Sequence, residues 1–377
     1  MKLAIQFLFC ALPALACGLA AAAPREWIPQ SDSEVIERLP ERIRAPAATP
    51  EAAAEAARRW IALARSTADP RYLGRAQAAL ARWWDRADAP AELAVLQATV
   101  QQSRHEFDAA RKTLKAALIR EPAQAQGWLT MATLERLSGR YVDAAQACDR
   151  VRQAGAGLYA AACSLETRSL QGSFDEARQG YEALVRQTGD ASTRAWLLSL
   201  LAESEERAGR DASAKTAYQA SLQLDADGYT ALAYADFLLR LSQPAEALKV
   251  LANQAPSDSV LIRQGKAFRL QNDARWKTIG AELAERFAAL DARGEDSILH
   301  ARERALAALW LDDAPDAAWR YADANLGLQK EPLDWWLAFT AAQAAGRAAD
   351  ISRLQLALKD TGLKDARLAR WQAVQKS

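Results

Sequence analysis

Three carboxylates, Glu166, Glu203 and Asp236, are the side chains best suited to chemistry in this sequence. Two suitably spaced carboxylates are enough to cleave a glycosidic bond, one as acid and the other as base or nucleophile. A row of carboxylates can equally bind a cationic group without breaking any bond. The sequence contains no phosphate-binding glycine loop and no nucleophile elbow. It therefore favours binding over catalysis, and a carboxylate-dependent hydrolase is the more distant alternative.

Cysteine and histidine residues are few, and their spacing predicts no metal site and no cofactor. The two histidines, His105 and His300, lie far apart in the sequence, and neither accompanies a cysteine at metal-ligand spacing. Cys148 and Cys163 are the two cysteines beyond the N-terminal region. We interpret them as two small buried thiols. A disulfide bond between them is the alternative, which an oxidising compartment would allow.

The overall composition predicts a folded helical protein. The chain has 377 residues, half of them hydrophobic, and its 48 lysine and arginine residues nearly balance 47 aspartate and glutamate residues. This balance argues against a nucleic-acid partner and against a polybasic membrane-binding surface. Alanine, the best helix former, is abundant and β-branched residues are sparse, so an all-α fold is expected.

Residues 1–22 have the pattern of a secretory signal peptide. Lys2 precedes an apolar stretch over residues 3–19, and small residues then suit cleavage near Ala22. A transmembrane anchor is the alternative, but a proline and a glycine interrupt the apolar stretch and no charged stop-transfer flank follows it. Processing at Cys17 as a lipoprotein is a further alternative. We therefore expect a periplasmic or secreted protein without a transmembrane segment after cleavage.

A repeat of about 34 residues is visible from Ala125 onward. Counting Ala125 as position 1 places Trp128 at 4, Gly139 at 15, Tyr141 at 17 and Ala144 at 20. Small residues let two antiparallel helices approach closely, and the aromatic side chains fill the space beside that contact. Glycine at position 15 can adopt the left-handed conformation that ends the first helix.

This pattern resembles the tetratricopeptide repeat, as found in exported bacterial proteins. The resemblance implies a right-handed α–α superhelix of eight or nine helical hairpins over residues 53–365, clearest over 91–255. Residues 23–50 contain several prolines and no sustained apolar period, so we expect an extended N-terminal lead there. Residues 363–377 suit the capping helix that such a superhelix needs at its end. The hairpin units begin at Ala91, Ala125, Leu158, Ala195 and Gly228, with weaker units at 258, 299 and 332 and a repeat-like pair at 53–86.

The resemblance further implies that positions 2, 5, 9, 12 and 13 of each first helix line a concave groove. Position 2 gives three successive aromatic residues, which we call the aromatic shelf: Tyr159, Trp196 and Tyr229. Position 9 of the same units gives three acidic residues, which we call the acidic line: Glu166, Glu203 and Asp236. Such a surface suits an extended peptide with apolar anchors and basic residues.

Other groove positions supply basic and aromatic side chains. Lys266 follows the acidic line at position 9 of the next unit, and arginines at positions 12 and 13 are expected to neutralise part of the acid. Tryptophans at positions 12 and 5 could extend the groove. In the alternative interpretation, the shelf residues pack between neighbouring helices and the acids merely pair with arginines. The arginines are Arg207, Arg240 and Arg269, and the two groove tryptophans are Trp310 and Trp336. Six other tryptophans are expected in the core: Trp60, Trp83, Trp128, Trp276, Trp319 and Trp335.

The function that these patterns favour is a non-catalytic scaffold or adaptor that holds a protein or peptide segment in the bacterial envelope. Acidic residues at position 9 disfavour the carboxylate-clamp type of groove, which needs basic and amide side chains there. A glycan- or ligand-binding envelope protein is the alternative from another class. The sequence leaves the partner and the oligomeric state open.

Overall fold

The structure is a computed structural model that describes residues 49–67, 71–294 and 297–372. The expected signal peptide, most of the lead and the last residues of the expected capping helix fall outside these residues. The described residues form nine helical hairpins in an all-α superhelix. The helices are α1 (Pro50–Thr67), α2 (Arg71–Leu80), α3 (Ala91–Ser103), α4 (Phe107–Arg120), α5 (Ala125–Leu137), α6 (Tyr141–Gln153), α7 (Gly157–Leu170), α8 (Phe174–Gln187), α9 (Ala191–Arg207), α10 (Asp211–Leu224), α11 (Gly228–Arg240), α12 (Pro244–Leu251), α13 (Asp258–Leu270), α14 (Arg275–Ala292), α15 (Ala301–Trp310), α16 (Pro315–Leu328), α17 (Pro332–Ala344), α18 (Ala348–Thr361) and α19 (Ala369–Gln372).

Small residues at the helix contacts allow each hairpin to close. Ala132 in α5 and Ala144 in α6 are fully buried, as are Ala98 and Ala110 in the preceding hairpin. A β-carbon added at Gly180 would lie 2.6 Å from both methyl carbons of Leu165, so the Leu165 side chain would have to shift to admit it.

Position 15 lies in the left-handed backbone region in all eight hairpin units from Ala91 onward. Four of these residues are glycines, with φ between 67° and 99°. The other four are non-glycine residues with φ between 50° and 61°, and three of them are of the types that tolerate this conformation best. The weaker units at 258, 299 and 332 therefore share the register of the clear ones. The position-15 residues are His105, Gly139, Gly172, Gly209, Ser242, Asn272, Asp313 and Gly346.

Recurring ion pairs join one hairpin to the next. Glu135, at position 11, bonds to Arg140 of its own turn and to Arg111 of the preceding hairpin. Glu205, at position 11 two units later, bonds in the same way to Arg210 and Arg178. Both carboxylates are buried. Breaking such a pair leaves a buried charge without compensation, so these contacts fix the packing of adjacent hairpins.

The last hairpins fold back onto the middle of the superhelix. The Lys330 backbone N–H donates to the Leu137 carbonyl at 2.6 Å, and the Lys364 N–H donates to the Leu170 carbonyl at 2.8 Å. These bonds satisfy carbonyls at the C-terminal ends of α5 and α7, which have no partner within their own helices. One hydrophobic cluster unites Tyr141 and Leu170 with the C-terminal hairpin. At the other end of the chain, α1 contacts α11.

The C-terminal cap differs from the single helix expected over residues 363–377. The chain leaves α18 at Gly362, forms a 3-10 turn at Ala366–Leu368 and continues into the one-turn helix α19. Leu363 and Leu368 are buried. The non-helical segment between Gly362 and the 3-10 turn carries the Lys364 amide that bonds to α7.

We expect Gly346→Ala to lower the free energy of unfolding by about 1–2 kcal/mol, because φ is +67° there and a β-carbon disfavours that conformation. The matched control is Gly327→Ala inside α16, which should raise it by about 0.5–1 kcal/mol through helix propensity. Neither added β-carbon would meet another atom within 4 Å. Urea titration followed by circular dichroism measures both changes in the free energy of unfolding. Changes of the same sign in the two variants would contradict the backbone explanation.

Candidate functional site

The aromatic shelf lies exposed along the N-terminal ends of three successive first helices. Tyr159, Trp196 and Tyr229 are 36 to 59% exposed, and among the described residues they are the large aromatic side chains left exposed. The rings of Tyr159 and Trp196 lie 5.7 Å apart, centroid to centroid. Exposing aromatic rings of neighbouring repeats to water is unfavourable, and such a surface is typical of a site that contacts another molecule.

Helix caps set where these helices begin and therefore which residues reach the shelf. The Asp190 carboxylate accepts from the Thr193 N–H at the start of α9. The Asp227 carboxylate accepts in the same way from the Thr230 N–H at the start of α11. Each cap satisfies an N–H that would otherwise lack a partner. Tyr229 consequently stands in the first turn of its helix, at the rim of the groove.

The acidic line lies below the shelf, and each of its carboxylates is near an arginine. Glu166 lies 2.9 Å from the Arg136 guanidinium, and Asp236 lies 2.6 Å from that of Arg263. Glu203 is 3.7 Å from its nearest guanidinium nitrogen, on Arg207. In all three pairs the acid is the more exposed partner, at 19 to 24% against 5 to 12% for the arginine. The wall therefore presents carboxylates to the groove, with the positive charges behind them.

Glu203 is the carboxylate with the least compensation. Its Oε1 atom is buried and has no hydrogen-bond partner among the described residues. Burial raises the pKa of Glu203 to about 7, and the negative charges of Glu166 and Glu331 act in the same direction. Arg207 and the facing hydroxyl of Tyr229 oppose that rise in pKa. Glu203 thus changes charge near neutral pH, while it lies directly beneath the shelf.

Because the folded-state pKa of Glu203 lies above the ordinary value of 4.5, ionisation of this group costs stability as pH rises from about 4.5 to 7. We expect Glu203→Gln to stabilise the protein at pH 8, on the order of 2 kcal/mol, and to have little effect at pH 5. Thermal unfolding at both pH values measures this difference. The control is Glu205→Gln on the same helix, which should destabilise the protein at both values because it removes a paired buried charge. A pH-independent effect of Glu203→Gln would contradict the assignment.

Two of the predicted groove arginines do not neutralise the acidic line. Arg240 bonds to Glu206 and Asp211 instead. Arg269 bonds to Asp313 and to the carbonyl oxygen of Trp310. Arg240 thus reaches the preceding hairpin and Arg269 the next one, rather than position 9 of its own helix. Of the three arginines expected to neutralise the acids, Arg207 alone lies beside one.

The predicted extension of the groove by tryptophans is wrong for Trp310. This residue is buried in the C-terminal hydrophobic cluster, where its ring lies 6.3 Å from that of Trp336. The Lys266 ammonium lies 5.9 Å from the Trp310 ring, and burial lowers the pKa of Lys266. Trp336 instead lines a cavity of about 360 Å³, together with Arg240 and Arg367. Trp336 therefore lies at the fold-back contact rather than on a continuation of the shelf.

Among the tryptophans expected in the core, Trp319 and Trp335 are buried. The remaining four are partly buried and pack at the edges of the hairpins. Trp128 and Trp60 each have an arginine over or beside the ring, which is typical of an indole that is apolar on one face and solvated on the other.

The two cysteines form a disulfide bond in the structure. Cys148 of α6 and Cys163 of α7 are joined, with their Cα atoms 5.6 Å apart. The structure therefore contains the disulfide bond that the sequence analysis gives as the alternative, and not the two free thiols that it favours. The bond links neighbouring hairpins directly behind the part of the wall that carries the shelf.

If residues 1–22 are removed as the sequence predicts, we expect the denatured protein to show no free thiol before reduction and two after it. Replacing both residues, Cys148→Ala and Cys163→Ala, should lower the free energy of unfolding by about 3 kcal/mol, as for a loop of about 15 residues. Thiol titration in denaturant and urea unfolding measure the two effects. Two free thiols in protein isolated without reductant would refute the bridge.

The two histidines come closer together than their sequence positions suggest. Burial lowers the pKa of His105, and the charges that act on it include those of His300, Arg302 and Glu303. Residues near 300 thus lie close to the turn of the second hairpin, as part of the fold-back. Within the described ranges, no group of three histidine, cysteine or acidic side chains has an arrangement that could hold a metal ion.

The sequence does not identify three residues that surround the acidic line: Arg136, Arg263 and Glu331. Arg136 and Arg263 belong to the units before and after the acids they contact, so counting positions within one repeat does not pair them. Glu331 arrives through the fold-back contact, for which the repeat pattern carries no signal. The last hairpins thus contact the C-terminal ends of α5 and α7, whereas the shelf stays exposed. We call the surface defined by the shelf, the acidic line and Glu331 the cup.

The shared register of its hairpins makes this chain a tetratricopeptide-like repeat protein with an all-α superhelical fold. Within the described ranges, no helix combines the length and apolarity needed to span a bilayer.

No known family profile matches the sequence, and no curated protein matches it. Solved structures with a similar fold include Pseudomonas aeruginosa PilF, which is 16% identical and covers 54% of this chain and 94% of its own, with a TM-score of 0.39. Human IFIT1, solved as a dimer with PPP-AAAA, is 13% identical over 82% of this chain and 72% of its own, with a TM-score of 0.49. A tetratricopeptide repeat protein from Parabacteroides merdae is 11% identical over 67% and 98%, with a TM-score of 0.39.

Proposed function

We propose that this protein is a non-catalytic binding scaffold of the bacterial envelope, which holds a segment of a partner protein at the cup. The observation that carries this proposal is the aromatic shelf. Its three residues stay exposed, whereas the other large aromatic side chains of the described ranges are buried wholly or partly. Exposed aromatic side chains in a fixed row are the usual anchors of protein interfaces.

The arrangement of charges supports binding rather than catalysis. Glu166 and Asp236 are held by ion pairs with Arg136 and Arg263. An acid and base pair for hydrolysis requires two carboxylates with separated protonation states and a path for water between them. Here the carboxylates stand in a row in successive repeats, which suits recognition along a surface.

The envelope location is supported by two features. Residues 1–22 have the pattern of a signal peptide, and the disulfide bond between Cys148 and Cys163 is typical of proteins that fold in an oxidising compartment. Reducing conditions in the cytosol disfavour such bonds. The proposed partner is a protein or peptide of the same compartment, and no cofactor is needed for this function.

A triple variant tests the proposal: Trp196→Ala, Tyr229→Ala and Glu203→Gln. We expect it to lose most of the partner captured by crosslinking the tagged protein in its native envelope, because hot-spot aromatic residues carry most of the energy of an interface. Thermal stability should change little at pH 5, where Glu203→Gln has little effect of its own. The matched control changes three exposed apolar residues away from the shelf: Ile119→Ala, Val142→Ala and Leu356→Ala. Capture that is equally strong in the triple variant would refute the proposal, and capture of an added oligosaccharide instead would favour the glycan-binding alternative.

A further inference from the structure

Three neighbouring turns of the superhelix carry glycine where the C-terminal part of the chain approaches them. A β-carbon added at any of these glycines would lie within 3.5 Å of a C-terminal side chain, whereas one added at Gly346 would meet nothing within 4 Å. The left-handed conformation alone does not require glycine, because other residue types adopt it at four further position-15 turns. The three glycines therefore also leave room for the C-terminal segments. The pairs in contact are Gly139 with Lys330, Gly172 with Lys364 and Gly209 with Ala366.

The segments that contact these turns are Lys330 and residues 363–368, which we call the latch. Two of its backbone N–H groups bond to carbonyls at the ends of α5 and α7. A third contact runs from the Arg367 guanidinium to the Glu206 carboxylate of α9, at 3.3 Å. The side chains of Tyr141 and Leu170 join the C-terminal hydrophobic cluster and favour the closed form. The latch thus covers the C-terminal ends of three adjacent first helices, and two of these, α7 and α9, carry shelf residues.

Separation of the latch from α9 leaves no buried charge unpaired. Arg367 keeps its two bonds to Asp365, at 2.9 and 2.6 Å. Glu206 keeps the guanidinium of Arg240 at 3.2 Å and the hydroxyl of Tyr218 at 3.0 Å. Water can replace the partner of each freed amide and carbonyl group. The main cost of breaking a buried ion pair is the uncompensated charge that remains, and this cost does not arise here.

The contact between the latch and α9 is also loosely packed. A cavity of about 360 Å³ lies beside it, lined by Glu206, Gly209 and Arg367 among others. Protein interiors are normally close-packed, with few voids larger than a water molecule. The apolar side chains of the latch, Leu363 and Leu368, belong to the C-terminal cluster, so they stay packed on the C-terminal hairpin when the latch separates from the turns.

We propose that the latch opens as a unit while the hairpins stay folded, and that this opening uncovers the C-terminal ends of α5, α7 and α9 for a partner segment. The inference rests on the proposed function and adds a regulatory step to it. A segment anchored at the shelf extends to these helix ends after the latch has left them. Such a partial opening requires less free energy than complete unfolding of the protein.

Native-state hydrogen exchange of the mature protein, measured by mass spectrometry, tests the opening. The backbone amides of Lys330 and Lys364 should exchange with the same opening equilibrium constant, because one movement frees both of them. That constant should be at least about tenfold larger than the constant for amides in the middle of α9. Different constants for the two amides, or constants equal to that of α9, would overturn the latch.

Gly209→Ala tests whether the contact with the turns holds the latch closed. It adds a β-carbon 3.1 Å from that of Ala366, so both latch amides should exchange about tenfold faster. The matched control is Gly346→Ala, at a turn of similar φ with no neighbour within 4 Å, and it should leave their exchange unchanged. Adding Ala366→Gly to Gly209→Ala removes the facing β-carbon and should restore the original exchange. Equal acceleration in Gly346→Ala, or failure of this rescue, would refute the contact as the cause.

Partner capture decides whether the opening regulates binding. Ala366→Val enlarges the side chain that faces Gly209 and leaves the covered helices unchanged, and its matched control is Ala349→Val at an exposed position of α18. Crosslinking in the native envelope should recover more partner with Ala366→Val than with the control, because affinity rises with the population of the open form. Equal capture would overturn the regulatory step. Capture that does not depend on the shelf would refute the proposed function alone, since hydrogen exchange measures the opening without any partner.

Discussion

Each hairpin from Ala91 onward turns on one residue in the left-handed conformation, and the rest of the superhelix depends on this constraint. The residue at position 15 ends the first helix and directs the chain back along it. Because every turn has the same geometry, positions 8 and 20 lie at the contact between the two helices, and where both residues are small, as Ala132 and Ala144 are, the helices pack closely. The same geometry brings position 2 of each first helix to one rim, which is why three aromatic residues in separate repeats form a single surface.

The fold-back of the last hairpins determines which parts of the inner wall stay exposed. An open superhelix would expose the whole concave face to a ligand. Here, amides from the loops around the last hairpin bond to carbonyls at the ends of α5 and α7. Arg367 likewise reaches Glu206 in the fifth hairpin. The polar residues near the turns therefore make contacts that hold the fold together, whereas those near the rim remain available to contact a ligand. One end of each first helix supports the fold and the other end carries the candidate site.

The sequence predicts the repeat well because each hairpin is a local structure. The spacing of Gly139, Tyr141 and Ala144 predicts the turn and the close helix contact, and position counting identifies the aromatic residues that are exposed. What it could not predict depends on contacts between distant parts of the chain. The burial of Trp310 and the approach of Glu331 to Glu203 follow from the fold-back, which leaves no periodic signal. The sequence also predicts the wrong partners for Arg240 and Arg269, because a long side chain can contact residues well away from its own position in the repeat.

A superhelix of hairpins normally behaves as a linear array in which each unit senses its neighbours alone. In this protein the eighth and ninth units also bond to the third, fourth and fifth, so the array is joined into a loop. The number of hairpins between the joined units is then fixed by geometry. Adding or deleting a single hairpin would displace Lys330 and Lys364 from their acceptors by a whole repeat. Unlike a solenoid that can lengthen freely, this architecture has one permitted size.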